Sequence, residues 1–215
     1  MKFDFEAAIF DMDGTLLDSQ RYWRYTSLEY LLAHGIPARP EYLLRMNGTS
    51  SRKLLMEIAE AEGIAIDRDA MVHEIEAYMD RHYIHDAPLK TPAVPAFLER
   101  LRHEGIRMCI ATVSPCDSLR EALRRVGILD YFEFIFNEKS GRNAKDDPGY
   151  FSRVLDRLGV PAERCWVFED ALNAVRSAKS LGLRVCAIEE ETQIANRDQI
   201  KALADLYIRD YAELL

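Results

Sequence analysis

Cysteine is scarce and scattered. Cys109, Cys116, Cys165 and Cys186 form no CxxC pair, so neither a zinc-finger spacing nor a disulfide framework is present. Cys109, Cys165 and Cys186 sit inside apolar runs, where a free thiol behaves as a small core residue. Reduced thiols and a cytoplasmic location are therefore expected. The N-terminal MKFDFEAAIF lacks the apolar core and small-residue cleavage site of a secretory signal. No apolar stretch approaches the roughly 20 residues that a spanning helix needs, and no membrane partner is expected. Basic charge is also short: 28 Lys and Arg stand against 36 Asp and Glu, a net charge of −8. That balance counts against a nucleic-acid surface, which is built from basic faces. It does not count against a phosphorylated metabolite, because one metal ion and one lysine make a local positive spot on an acidic protein.

No internal repeat or low-complexity tract interrupts the 215 residues, 48% of them hydrophobic, enough for one sizeable core with or without a satellite domain. Apolar runs over residues 7–11, 107–112, 134–137, 165–169, 184–188 and 206–208 read as strands. The first, second, fourth and fifth are nearly continuous, as strands covered on both faces are. Helical patterns over 94–103, 117–126, 150–158 and 172–181 lie between them, each followed by a glycine stop at Gly105, Gly127, Gly159 or Gly182. This alternation predicts an α/β fold with a doubly wound parallel sheet. Residues 21–85 differ: they read as helices over 21–33, 51–62 and 68–84, broken at HGIPARP and MNGTS. The expected organisation is a core domain of residues 1–17 and 87–215, with an inserted helical domain of residues 18–86.

The segment AAIFDMDGTLLDS carries the strongest chemical signal. An apolar strand delivers Asp11 and Asp13 to its C-terminal end, where open α/β sheets place their ligands. Two clustered carboxylates repel unless a cation or a proton lies between them, and Mg²⁺ suits hard oxygen ligands. A strand ending in an Asx-turn, with Asp13 as a helix cap, is the bland alternative.

DMDGT after an apolar strand resembles the signature of the haloacid dehalogenase-like (HAD) phosphohydrolase superfamily, whose fold is a Rossmann-like α/β core. The resemblance implies Asp11 as a nucleophile that becomes phosphorylated. It implies Asp13 as general acid and base, with its main-chain carbonyl on Mg²⁺. It further implies a phosphate-holding Thr112 with the backbone N–H groups of Val113 and Ser114, in RMCIATVSP. Lys145, spaced to Pro148 and Phe151 in NAKDDPGYF, would neutralise charge between nucleophile and phosphate. Glu169 and Asp170 in CWVFEDALNAV complete the implied Mg²⁺ set of Asp11, Asp13, Glu169 and Asp170. Asp146, Ala171 and Ala174 stand where the family pattern commonly has Pro, Ser and Gly.

The helical insertion is similar to the cap of the phosphoglycolate phosphatase and β-phosphoglucomutase subfamily. Trp23, Arg24, Asn47, Thr49, Ser50, Ser51 and Arg52 are its candidate substrate contacts, against a reading of Trp23 as cap core. His73, His82 and His85 with Asp86 read as solvated helix surface rather than a metal site. The resulting expectation is a Mg²⁺-dependent phosphatase acting on a small phosphate monoester through an aspartyl-phosphate. A phosphomutase shares every core residue. It is disfavoured by Trp23, where β-phosphoglucomutases have a His, and by the loop Gly48-Thr49-Ser50-Ser51-Arg52 in place of Gly-x-Ser-Arg. A metal-free dehalogenase has no use for Asp13, Glu169 and Asp170, and a non-catalytic phosphometabolite-binding regulator has none for Asp11 and Asp13. The partner expected is a small phosphorylated metabolite; the oligomeric state stays open.

Overall fold

β1 (Ala7–Phe10) is completely buried because it lies in the middle of a parallel sheet covered on both faces. The other strands are β2 (Arg107–Ala111), β3 (Ile135–Phe136), β4 (Cys165–Glu169), β5 (Arg184–Ile188) and β6 (Leu206–Ile208). They form a six-stranded sheet in the order β3-β2-β1-β4-β5-β6, parallel throughout. The computed structural model describes residues 3–45, 51–114, 117–137 and 144–215. All six strands fall where the apolar runs predict them.

The helices are α1 (Gln20–Ala33), α2 (Pro40–Arg45), α3 (Ser51–Glu62), α4 (Arg68–His85), α5 (Val94–His103), α6 (Leu119–Arg125), α7 (Pro148–Leu158), α8 (Leu172–Ser180) and α9 (Arg197–Leu203). The break expected over residues 34–40 ends in α2, which opens on Pro40; proline suits a first helical position because its missing N–H has no partner there anyway. α9 is too short and too polar at its start to show a clear period, and the sequence does not announce it.

The sheet separates two packed layers. On one side Ala7 and Ile9 of β1 meet Val167, Val185, and Tyr150, Phe151 and Val154 of α7, with Val175 and Ala178 of α8. Alternation of side chains along a strand sends Phe10 and Phe168 to the other side. There the two rings stack at 4.4 Å and 11°, and Phe97 of α5 and Tyr211 pack near them at 5.4 and 6.3 Å from Phe168. α7 ends on Gly159 at φ 66°, a left-handed conformation that costs a glycine little.

The chain divides into two compact units, one of Met1–Asp18, Pro88–Pro115 and Leu123–Leu215, the other of Ser19–Ala87 and Cys116–Ala122. The second unit is helical, and Tyr30, Leu31, Leu54, Leu55, Ile58, Met71 and Ile75 form its core. Its α4 begins on Asp67, whose carboxylate accepts from the N–H groups of Asp69 and Ala70, as an N-cap should. Ser118 joins this unit by donating its amide N–H to Asp80 Oδ1 at 3.0 Å, a link between distant segments that no local pattern reveals.

Phe168→Ala removes the ring at the centre of the aromatic layer. It is expected to lower the unfolding free energy by about 3–5 kcal/mol, measured by urea denaturation.

Candidate active site

The register Phe10↔Ile110 and Phe10↔Phe168 brings the residue after β1, Asp11, level with the ends of β2 and β4. Chain order reverses there, since β2 and β3 lie to one side of β1 and β4 to β6 to the other. Such a switch point opens a crevice at the carboxyl ends of the strands. Asp11 donates its main-chain N–H to Phe168 O at 2.9 Å, which fixes the base of its side chain. Gly14, at φ 86°, then turns the backbone, and the N–H groups of Leu16 and Leu17 both return to Met12 O at 3.0 and 2.9 Å. Asp13 caps no helix, because the next one begins only at Gln20.

Lys145 reaches this crevice from a 3₁₀ turn (Ala144–Asp146) directly before α7. Pro148 at the first position of α7 and the Asp147 cap, which accepts from Gly149 N at 2.9 Å, set where that helix starts. Asn173 of α8 donates to Asp146 Oδ1 at 2.6 Å and ties down the turn. Lys145 is 5% exposed; its ammonium donates to Asp11 Oδ1 and, at 2.8 Å, to Glu169 Oε1. Burial disfavours the ammonium, but the charges of Asp11 and Glu169 outweigh that and hold its pKa above the ordinary lysine value.

The remaining oxygens divide their tasks. Glu169 Oε2 accepts from the N–H groups of Asp170 and Ala171 at 2.6 and 3.1 Å, so Glu169 holds the turn leading into α8. Ala171 is the N-cap of α8, with no side-chain cap bond, and Asp170 is therefore not the capping carboxylate. Its Oδ1 accepts from Thr15 Oγ1 at 3.4 Å, while its Oδ2 is buried with no hydrogen-bond partner. One oxygen from each of Asp11, Glu169 and Asp170 lies within 4.8 Å of the others. Burial, opposed by Lys145 and reinforced by the charges of Glu169 and Asp13, pushes the Asp11 carboxyl up to about 8. Burial together with Glu169, Asp11 and Glu190 also raises Asp170 well above the carboxylate range. Lys145 alone leaves the cluster short of positive charge. A buried carboxylate oxygen without a partner, among hard oxygen donors, fits a divalent cation such as Mg²⁺.

Thr112 and Ser114 close the other side. Thr112 N–H donates to Phe136 O at 3.0 Å, and Tyr150 OH donates to Thr112 O at 2.9 Å, so the threonine is held on two elements. Ser114 N–H, expected to face a phosphoryl oxygen, is donated to Thr112 Oγ1 at 3.1 Å. Ser114 Oγ donates to Asp13 Oδ2, and Asn137 donates to Ser114 O at 2.9 Å. Val113 packs half-buried against the sheet core. Sequence reasoning missed Thr15, Asn137, Tyr150, Asn173, Lys90 and Glu190 around the cluster, because each acts through a partner remote in sequence. For Thr15 the DMDGT motif itself was an available signal.

The candidate contacts in the helical unit fare differently. Asn47, Thr49 and Ser50 lie outside the described residues. Trp23 packs half-buried against the helical core, and its carbonyl accepts from Thr26 Oγ1 and Ser51 Oγ at 2.8 and 2.5 Å. Arg52 pairs with Glu76 at 2.6 Å. His82 is bonded to Asp86 and Glu29 at 2.8 and 3.1 Å, and His73 to Asp69 O at 2.8 Å.

A family model described as haloacid dehalogenase-like hydrolase matches residues 8–188. The phosphorylated carbohydrates phosphatase of Thermotoga maritima is 31% identical over 182 residues, which cover 83% of this chain and 82% of that protein. Validoxylamine A 7'-phosphate phosphatase of Streptomyces hygroscopicus subsp. limoneus is 25% identical over 98% of this chain and 96% of its own length. The crystal structure of CbbY from Rhodobacter sphaeroides in complex with phosphate has a TM-score of 0.77 and 25% identity, covering 98% of this chain and 96% of that one. The matched span runs from before Asp11 to beyond Asp170, and this chain belongs to the haloacid dehalogenase-like hydrolase family.

Proposed function

We propose that the protein is a Mg²⁺-dependent phosphatase that hydrolyses a phosphorylated sugar or a related small monoester, with Asp11 as the nucleophile. The observation that carries the reading is the meeting of Asp11, Lys145, Glu169 and Asp170 at the switch point of the sheet. The names of the phosphatase relatives support the sugar-phosphate class.

In the first half-reaction an Asp11 carboxylate oxygen attacks phosphorus, and the bond from phosphorus to the leaving oxygen breaks. Asp13 gives its proton to that oxygen, so the alcohol departs neutral. Ser114 Oγ, by donating to Asp13 Oδ2, orients the carboxyl for the transfer. In the second half-reaction Asp13 takes a proton from water, whose oxygen attacks the aspartyl-phosphate and releases phosphate and free Asp11. Splitting one displacement into two is the benefit of a carboxylate nucleophile. Lys145 offsets the charge gathered between Asp11 and the phosphate, and the Thr112 hydroxyl, which accepts from the Ser114 amide, donates its proton to a phosphoryl oxygen. Asp11, Glu169 and Asp170, with the carbonyl of Asp13, would hold Mg²⁺, which when bound neutralises phosphoryl oxygens and keeps them in place.

The test is phosphate release from a panel of sugar phosphates with Mg²⁺ present. Asp11→Asn is expected to lower the rate on the order of 10³-fold or more, with the circular-dichroism spectrum unchanged; retained activity would remove Asp11 from its role. Asp13→Asn should cost about 10²–10⁴-fold, the usual range for losing a general acid and base. Chelation by EDTA should abolish release and Mg²⁺ restore it. Conversion of one sugar phosphate to another without free phosphate would instead make the enzyme a mutase.

A further inference from the structure

A second buried ion pair, used by none of the steps above, stands beside the carboxylate cluster. Lys90 Nζ and Glu190 Oε2 are 2.5 Å apart, with side chains only 10% and 4% exposed. Glu190 Oε1 accepts from Thr192 N–H at 3.2 Å, which fixes the carboxylate at the start of the 3₁₀ turn Glu191–Asn196. Both ends of the pair are tied to backbone that carries the site. Lys90 N–H donates to Leu16 O at 2.8 Å, and Leu16 N–H donates in turn to Met12 O at 3.0 Å, between Asp11 and Asp13. On the other side β5 is in register with β4 through Ala187↔Glu169, and Glu190 follows three residues later.

We propose that the Lys90–Glu190 pair sets the cation affinity of the Asp11–Glu169–Asp170 cluster, Glu190 being a positioning residue that keeps Lys90 electrically neutral towards the bound metal. This rests on the reading of that cluster as the Mg²⁺ site. A buried ion pair is a poor device for stability, since taking both charges out of water offsets their attraction and apolar residues of the same size usually serve as well. Its charges matter more to a neighbouring ion. Paired, Lys90 and Glu190 nearly cancel at a distance; unpaired, Lys90 would leave a full positive charge in a region of low dielectric beside a site meant for a cation. Thr15, whose hydroxyl donates to Asp170 Oδ1 at 3.4 Å, directly precedes Leu16, whose carbonyl accepts the Lys90 amide, so the backbone of Lys90 adjoins the cluster.

The experiment is calorimetric titration of the full chain, stripped with EDTA, with MgCl₂ and no substrate. Folding of each variant is checked by circular dichroism. Glu190→Gln, which exposes the cluster to an uncompensated Lys90, is expected to weaken Mg²⁺ binding about three- to tenfold. The double variant Lys90→Met/Glu190→Gln carries no unpaired charge and should return to within about twofold of the wild type. Lys90→Met alone should bind Mg²⁺ at least as tightly as the wild type, whereas the loss of a purely mechanical tether would weaken it. Glu190→Gln binding like the wild type, or a double variant or Lys90→Met weakened as much as Glu190→Gln, would overturn the inference. A wild-type chain that takes up no Mg²⁺ would overturn the metal assignment itself and this inference with it.

Discussion

Lys145 donates to Asp11 and Glu169 from a position almost closed to water, and around it also stand Asp170 and, through Ser114, Asp13. Buried carboxylates repel one another strongly at low dielectric, so this assembly holds only if the backbone prevents it from relaxing. Much of the surrounding structure serves that end. The Asp11 amide is bonded into the sheet, the Glu169 carboxylate is bonded to the amides that follow it, and the turn of Lys145 is held by Asn173. The rigidity comes from the two packed layers that clamp the central strands.

With its carboxylates ionised the cluster is negative even when its lysine is charged, and the same imbalance that makes it costly makes it useful. A cation would relieve it, and Asp170 holds a buried oxygen without a hydrogen-bond partner. A phosphate monoester brings further negative charge, which an acidic protein of net charge −8 repels everywhere except where positive charge is concentrated. Lys90 and Glu190 extend the same balance outward by one ion pair.

Local chemistry made most of the fold legible. Continuous apolar runs marked the strands because a parallel sheet buries both of its faces. Glycines marked helix ends because a left-handed residue is cheap only there. The irregular elements were less visible: α2 begins inside what reads as a break, and α9 shows no clear period. Asp11 and Asp13 stood out as paired carboxylates at a strand end, whereas Lys145, Glu169 and Asp170 were reached through the resemblance of their motifs to the family. The roles within the cluster were not legible. Ser114 Oγ donating to Asp13, 101 positions away, depends on which strands lie side by side, whereas Glu169 bonding the following amides and Thr112 Oγ1 accepting the Ser114 amide are local turns whose form the motifs do not specify.

By itself the sequence determined the order of the strands and of all helices but α2 and α9, the helical character of the insertion and the acidic motifs, because these follow from patterns within a few residues. Tertiary structure alone decided that β1 lies between β2 and β4, and hence that residues as far apart as Asp11 and Lys145 share one bond. It also decided the pairing of Lys90 with Glu190, residues 100 positions apart. Contacts of that span leave no local period, and they exist only when the sheet brings its carboxyl ends together.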